Sequence, residues 1–175
     1  MREPRGLLLV NTGDGKGKTT AAFGLAMRAV GHGMRVCVIQ FIKGPWHSGE
    51  IEAARYFGDR MQVHVRGAGF TWQSEDLDED IAIAREAWSF AADTIAADAH
   101  EMIVLDELTY LIKYGMVPEH EVLAVLSSRP AHMHVVVTGR DASEGLIALA
   151  DTVTRMEAVK HPYDEGAKAQ PGVEF

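Results

Sequence analysis

Residues 7–20 read LLLVNTGDGKGKTT. The four apolar residues at the start are typical of a strand that is covered on both faces of a parallel sheet. A glycine-rich turn follows, and the stretch ends in Lys18, Thr19 and Thr20, where an alanine-rich helical pattern begins. A strand, a glycine-rich loop and a helix in this order are the context in which a loop binds phosphate. We therefore predict that this loop binds the phosphates of a nucleotide.

The residue types in this loop each suit phosphate chemistry. Glycines let the backbone curl so that successive N–H groups point inward, and the helix N-terminus adds a partial positive charge. Lys18 supplies a full charge, and the Thr19 hydroxyl is placed to ligate Mg²⁺. The usual spacing has a further glycine where this chain has Thr12, so the match is incomplete. The predicted nucleotide-binding residues of the loop are Gly13, Asp14, Gly15, Lys16, Gly17, Lys18, Thr19 and Thr20.

A second signal is the run MIVLDE at residues 102–107, four apolar residues that end in two acids. The carboxyl end of a parallel strand faces the ligand crevice, where a carboxylate can hold Mg²⁺ directly or through water. Alone the pattern is weak, because many apolar strands end in a charged residue. Together with the phosphate loop, Asp106 and Glu107 predict a site for a magnesium nucleoside triphosphate.

Two arginines are further candidates for phosphate contact. Arg140 follows a strong strand, in the sequence Thr138-Gly139-Arg140, and a planar guanidinium suits phosphate oxygens. A solvated surface arginine explains that pattern equally well. Arg28, on the helix after the loop, is a similar but weaker candidate.

Short apolar runs alternate with helical patterns along the whole chain, and this alternation predicts the fold class. We expect strands at residues 7–10, 36–41, 61–65, 102–105, 135–137 and 152–159, and helices at 19–30, 48–57, 76–97 and from Pro118. Strand–helix alternation implies a mostly parallel sheet with helices on both faces. We predict a single α/β domain over residues 1–175, with the phosphate-loop NTPase fold of the RecA-like kind.

Composition excludes several classes of protein. The 175 residues carry a net charge of −8, which argues against nucleic acid as a partner. No apolar run approaches the ~20 residues that span a bilayer, so we expect no membrane segment. The N-terminus lacks the long apolar core of a signal peptide, and Cys37, the single cysteine, lies in an apolar run. We expect a cytoplasmic protein in which Cys37 is a buried hydrophobe.

The phosphate loop does not name a substrate, because kinases, ATPases, GTPases and motors all use one. The remaining unusual segment is GAGFTW at residues 67–72, where Phe70 and Trp72 stand in a glycine-flanked loop. An aromatic pair is normally part of a core. In a loop, the same pair either folds inward or contacts an apolar ligand.

Taken together, the motifs of the chain match a family: from residue 6 to residue 175 it resembles the bacterial ATP:corrinoid adenosyltransferases. The resemblance lies in TGDGKGKTT (12–20), RAVGHG (28–33), QFIKG (40–44), GFTW (69–72), LDELTY (105–110), VTGR (137–140) and VKHPY (159–163). The phosphate loop alone would be unspecific. The aromatic loop and the tail in the same order make the match specific.

The resemblance implies transfer of the 5′-deoxyadenosyl group of ATP to the cobalt of a reduced corrinoid, with release of triphosphate. It implies that Phe70 and Trp72 displace the lower ligand of cobalt(II), which makes its reduction easier, and that a reduced flavin or flavoprotein delivers the electron. Lys18 then acts on the triphosphate, Glu107 is a Mg²⁺ ligand beside Thr19, and Asp106 is a secondary metal or structural group. The family also suggests a homodimer.

Two other classes of function stay open on the sequence alone. One is an ordinary phosphate-loop kinase or NTPase acting on a small metabolite, and the other is a nucleotide-binding module without catalysis. The products distinguish them, since triphosphate indicates adenosyl transfer, whereas ADP or free phosphate indicates the kinase or NTPase.

Overall fold

The computed structural model describes residues 5–43, 48–67, 69 and 77–174. Within them the strands are β1 (Leu8–Thr12), β2 (Val36–Gln40), β3 (Met61–Val65), β4 (Met102–Asp106), β5 (His134–Thr138) and β6 (Thr152–Arg155). The α-helices are α1 (Lys18–Gly31), α2 (Gly49–Ala54), α3 (Leu77–Ala96), α4 (Leu108–Lys113), α5 (Glu119–Ser127) and α6 (Glu144–Leu149). Among the residues described, no helix combines the length and the apolar character that crossing a bilayer requires.

The six strands form one parallel sheet in the order β3-β2-β4-β5-β1-β6. The chain moves toward the β3 edge through α1 and α2, and back toward the β6 edge through α3 to α6. Parallel crossovers are right-handed, so opposite directions of travel place their helices on opposite faces of the sheet. The predicted fold class, a parallel sheet with helices on both faces, is confirmed.

Along the central strands, successive side chains pack in two different apolar clusters, one on each face of the sheet. Ile103 and Leu105 of β4 belong to the apolar cluster with α3, α4, α5 and α6, whereas Val104 belongs to the cluster with α1 and α2. A strand covered on both faces is apolar at successive positions, which is the pattern in the sequence. Cys37 is buried in the first cluster, and burial raises the pKa of its thiol to about 12.

The structure differs from the sequence-based elements mainly in short segments. Helices α4 and α6 were not predicted, because each has six residues, too few to show a helical period. The last strand ends at Arg155 rather than at residue 159, and all four of its residues are exposed on the edge of the sheet. The second helix ends at Ala54 and continues as a 3₁₀ segment, Arg55–Arg60.

Candidate active site

The phosphate loop lies at the carboxyl edge of the sheet, close to the ends of two strands, one of which ends in an acidic residue and the other in a polar one. Strand β5 lies between β1 and β4, so the loop after β1 is close to Asp106 at the end of β4 and to Thr138 at the end of β5. A cavity of about 650 Å³ opens there. It is lined by loop residues 14–20 and by Lys43, Glu50, Glu107, Tyr110, Arg140, Ala158, His161, Tyr163, Val173 and Glu174.

The loop backbone has the curled form that the glycines predict. Gly13 and Gly17 have φ values of +94° and +111°, a region that side chains disfavour. Gly15 is buried and donates its N–H to the carbonyl of Met156 at 2.8 Å. The Lys18 ammonium donates to the carbonyl oxygens of Gly13 and Gly15, at 2.6 and 2.7 Å. The loop therefore folds around the lysine that we predict to bind phosphate.

Gly15→Ala tests the close approach between the loop and the segment after β6. A methyl group at position 15 would lie 2.6 Å from the carbonyl carbon of Glu157, so one of the two segments must move. We expect the free energy of unfolding to fall by about 1–3 kcal/mol, as for other overpacked sites. Urea unfolding measures this change.

Gly24→Ala is the matched control, because the residue is inside α1 and a methyl group there would have no atom within 4 Å other than those of the adjoining helix backbone. Alanine is the better helix former, so this change should raise the free energy of unfolding by up to about 1 kcal/mol. Equal effects of the two substitutions would contradict the packing described for Gly15.

The Asp106 carboxylate is fully buried and organises the floor of the site. Its Oδ1 accepts hydrogen bonds from the hydroxyls of Thr19, at 2.8 Å, and Thr138, at 2.7 Å. Its Oδ2 accepts one from the side-chain amide of Gln40 at 3.0 Å. A buried charge is tolerated when it is well hydrogen-bonded. Asp106 thus ties the metal-binding hydroxyl predicted for Thr19 to the ends of three strands.

Glu107 presents a second carboxylate to the cavity. Its φ of +66° is unusual for a residue with a side chain, and its N–H donates to the hydroxyl of Thr138 at 2.9 Å. Burial, and secondarily the charge of Asp106, raises the pKa of Glu107 to about 7. A backbone in the left-handed region and a carboxylate with a raised pKa are both typical of functional sites.

Glu107→Gln is expected to stabilise the metal-free protein at alkaline pH. Because the pKa of Glu107 is higher in the folded state than its ordinary 4.5, folding becomes less favourable as the pH rises from about 4.5 to about 7. Above that range the penalty is complete, on the order of 3 kcal/mol, and glutamine does not carry it. Urea unfolding in EDTA at pH 5 and pH 8 measures the difference. A gain in stability that is the same at both pH values would contradict this prediction.

The cavity lining holds four cations and four acids, so it is less acidic than the chain as a whole; the acids are Asp14, Glu50, Glu107 and Glu174. The cations are Lys16, Lys18, Lys43 and Arg140. Burial, then the charge of Arg140, lowers the pKa of Lys18. Lys18 and Arg140 are two cations close together, which indicates a site that binds an anion.

The backbone of Arg140 is fixed by a hydrogen bond, whereas its guanidinium makes only a loose ion pair. The Thr109 hydroxyl donates to the Arg140 carbonyl at 2.6 Å. Gly139 packs so tightly on Thr109 that a methyl group there would lie 2.0 Å from Oγ1. The guanidinium is half exposed and lies 3.8 Å from the Asp14 carboxylate. The arginine is therefore directed toward the loop, and its exposed guanidinium remains able to contact an anion.

The C-terminal tail contributes to the site, which sequence reasoning did not predict. Residues 160–174 are largely exposed, but His161, Tyr163, Val173 and Glu174 line the cavity. Glu174 accepts a hydrogen bond from Lys16 at 3.1 Å. Of the motifs quoted for the resemblance, VKHPY at residues 159–163 pointed to this segment. Lys43 and Tyr110 were also missed as site residues, although each lies in a quoted motif and follows a strand at the ligand edge.

The structure does not bring every predicted residue together. Arg28 is exposed ten residues into α1 and lines a different cavity, between α1 and β6. A helix rises about 1.5 Å per residue, so the helix axis carries Arg28 away from the loop. Phe70 and Trp72 lie outside the described residues, and their predicted role stays a prediction.

The donor set at this edge fits Mg²⁺ bound together with a polyphosphate. In the described part of the chain, no three His, Cys, Asp or Glu side chains form a metal cluster. Two carboxylates, of Asp106 and Glu107, and the Thr19 hydroxyl are present instead. Mg²⁺ usually binds one or two carboxylates plus substrate phosphates, and not a cage made only of protein ligands. Oxygen donors next to a phosphate loop match this preference.

Comparison with known proteins agrees with the geometry. The family model described as ATP:corrinoid adenosyltransferase BtuR/CobO/CobP matches residues 4–175. The chain belongs to this family. The resemblance inferred from the motifs is thereby confirmed, and with it the assignment of the chain as an adenosyltransferase.

Two curated relatives of this adenosyltransferase have the same name, "Corrinoid adenosyltransferase". The protein from Pseudomonas aeruginosa PAO1 is 51% identical over 174 residues, which cover 99% of this chain and 86% of the relative. The protein from Escherichia coli K12 is 45% identical over 174 residues, which cover 99% and 88%.

A solved structure supports the fold. The flagellar accessory protein FlaH from Methanocaldococcus jannaschii superposes with a TM-score of 0.59, over 87% of this chain and 71% of that chain. Its identity to this chain is 12%, so the likeness concerns the fold alone.

Proposed function

We propose that this adenosyltransferase binds ATP with Mg²⁺ in the cavity at the carboxyl edge of the sheet and transfers the 5′-deoxyadenosyl group to the cobalt of a reduced corrinoid. In this step the electron pair of cobalt(I) forms a bond to C5′ of the ribose. The bond between C5′ and the triphosphate oxygen breaks, and triphosphate leaves with that electron pair. The observation that carries the proposal is the phosphate loop that folds around Lys18, in a cavity that Lys43, Glu107 and Arg140 also line, in a member of this family.

The chain's own groups would act mainly on the leaving group. Negative charge accumulates on the triphosphate as the C5′–O bond breaks, and preorganised cations in a partly buried site stabilise it. Lys18, Lys43 and Arg140 line the cavity from three different segments and would supply such cations. Cobalt(I) is itself a strong nucleophile, so the site needs no general base to activate it.

The residues that would hold Mg²⁺ are Thr19 and Glu107, with Asp106 orienting the threonine hydroxyl. The contacts of Asp106 support this division, because its oxygens already accept three side-chain hydrogen bonds, whereas Glu107 faces the cavity. When bound, Mg²⁺ would neutralise charge on the triphosphate.

The corrinoid would meet the nucleotide at the mouth of the cavity, with Phe70 and Trp72 on its lower face. That placement comes from the family motif GFTW at residues 69–72. The reduced flavin or flavoprotein donor, the homodimer and the cytoplasmic location likewise remain predictions.

The proposal is tested anaerobically with ATP, Mg²⁺ and chemically reduced cobalamin. We expect the absorbance change of cobalt–carbon bond formation, together with one triphosphate for each corrinoid alkylated, which phosphorus NMR can quantify. ADP or free phosphate as the product would contradict the proposal and support a kinase or NTPase. Nucleotide binding with no product at all would instead support a binding module.

A further inference from the structure

Gln40 is a polar residue in a place where the pattern of the strand calls for an apolar one. It ends β2, whose five residues VCVIQ are all buried, and its own side chain is completely inaccessible to solvent. In the register of the sheet it stands directly beside Asp106 of β4. Burying an amide costs free energy unless it is hydrogen-bonded, so its position at the floor of the active site needs a reason.

The nitrogen of the Gln40 side-chain amide contacts Asp106, which orients the proposed magnesium ligand Thr19. Its Nε2 donates to Oδ2 of Asp106 at 3.0 Å, while Oδ1 of the same carboxylate accepts from Thr19 and Thr138. The two sides of the carboxylate are therefore held by different strands. Without the amide, the carboxylate could rotate about its Cβ–Cγ bond, and the Thr19 hydroxyl would lose its fixed acceptor.

The other end of the amide lacks a partner. Within the described residues, the buried Oε1 of Gln40 has no hydrogen-bond donor. Such a buried acceptor is rare and costs about 1–3 kcal/mol when it stays unpaired.

The backbone of Gln40 also holds the chain that leaves β3. Its carbonyl accepts from the N–H groups of Arg66, at 2.9 Å, and Gly67, at 3.3 Å. Gly67 approaches so closely that a methyl group there would lie 2.3 Å from the carbonyl oxygen of Phe41. Gln40 thus contacts Asp106 through its side chain and the segment after β3 through its backbone.

We propose that Gln40 is a positioning residue for the bound magnesium nucleotide: its side-chain amide orients Asp106, and Asp106 orients the Thr19 hydroxyl. This inference rests on the proposed function only in assigning Thr19 and Glu107 to the metal. It predicts that the amide contributes to the binding of MgATP but not to the binding of ATP without metal, since Gln40 does not line the cavity itself.

The experiment compares Gln40→Met with the wild type by isothermal titration, once with ATP and Mg²⁺ and once with ATP in EDTA. Methionine keeps the length of the side chain but cannot donate to Asp106. We expect the affinity for MgATP to fall about tenfold, because the Thr19 hydroxyl loses its fixed acceptor when Asp106 is no longer oriented. The affinity for ATP in EDTA should stay within about twofold.

Steady-state kinetics supply a second readout. With chemically reduced cobalamin, the KM for MgATP should rise and kcat should fall with it, because less firmly held Mg²⁺ would neutralise less of the charge on the leaving triphosphate. Gln62→Met is the matched control, since Gln62 is exposed on the neighbouring strand β3. It should change none of these quantities.

Two results would overturn the inference: an unchanged affinity of Gln40→Met for MgATP, or an equal loss of affinity with and without Mg²⁺. The second result would indicate a merely structural residue. If Gln40→Met does not fold, Gln40→Leu answers the same questions, because leucine suits the buried strand and also cannot donate to Asp106. Failure of the proposed function would look different, as a wild type that binds MgATP but releases no triphosphate.

Discussion

Lys18→Ala is expected to lower kcat/KM for MgATP at least about a hundredfold, because hydrogen bonds to charged groups contribute about 1.5–3 kcal/mol each and the ammonium is placed to make more than one of them. In the structure it already donates to two carbonyls of the loop, at 2.6 and 2.7 Å, so it lies inside the curl of the backbone. Its charge faces the cavity together with that of Arg140. Titration calorimetry and adenosylation kinetics measure the loss.

Lys113→Ala is the control for removal of a lysine. Lys113 pairs with Asp141 at 2.8 Å and does not line the cavity. A surface substitution of this kind should change kcat/KM by no more than about twofold. If Lys18→Ala kept the wild-type affinity and rate, the assignment of this lysine to triphosphate binding would be wrong, whatever the control shows.

Phe70→Ala and Trp72→Ala are expected to lower turnover sharply when the reaction starts from cobalt(II), while ATP binding persists. If each ring covers the lower face of the corrinoid, its removal loses the burial of one large apolar side chain, about 2–3 kcal/mol. That loss corresponds to a factor of about 30 to 150 in the population of the four-coordinate cobalt. Electron paramagnetic resonance of the cobalt(II) complex detects this species directly.

The starting oxidation state separates this role from a general loss of substrate binding. With cobalamin already reduced to cobalt(I), the variants should lose much less activity than from cobalt(II), because the lower ligand no longer has to be displaced. Tyr56→Ala is a suitable control, since Tyr56 is an aromatic residue that is 92% exposed and lies outside the cavity. Normal turnover from cobalt(II) in the double variant Phe70→Ala/Trp72→Ala would contradict the displacement role.

The prediction for Lys18 concerns a site that the chain assembles from distant segments. The loop after β1 provides the lysine, and the ends of β2, β4 and β5 provide Gln40, Asp106 and Thr138. A parallel sheet places all of its carboxyl ends at one edge, so polar residues that are far apart in sequence become neighbours there. The function thus depends on the order of the strands as much as on the loop.

The fold class and the phosphate loop followed from local patterns. Continuous apolar runs indicate strands covered on both faces, and alternation with helices leaves few topologies other than a parallel sheet. The loop could be located because glycines, a lysine and a threonine act within one turn of the backbone. Asp106 and Glu107 were also recognisable, because they end an apolar strand.

Other features depend on contacts between segments that no local pattern links. Nothing near Gln40 in the sequence shows that β2 pairs with β4 and places this amide beside Asp106. Nothing near Lys16 shows that Glu174 pairs with it across 158 positions of the chain. Arg28 shows the converse, because a suitable residue type near the loop is carried along α1 to another cavity. Hydrophobic periodicity and turn chemistry are local properties, and they specified the elements and the loop. The strand order and the course of the tail are set by packing of the whole chain, and they decided which side chains share the site.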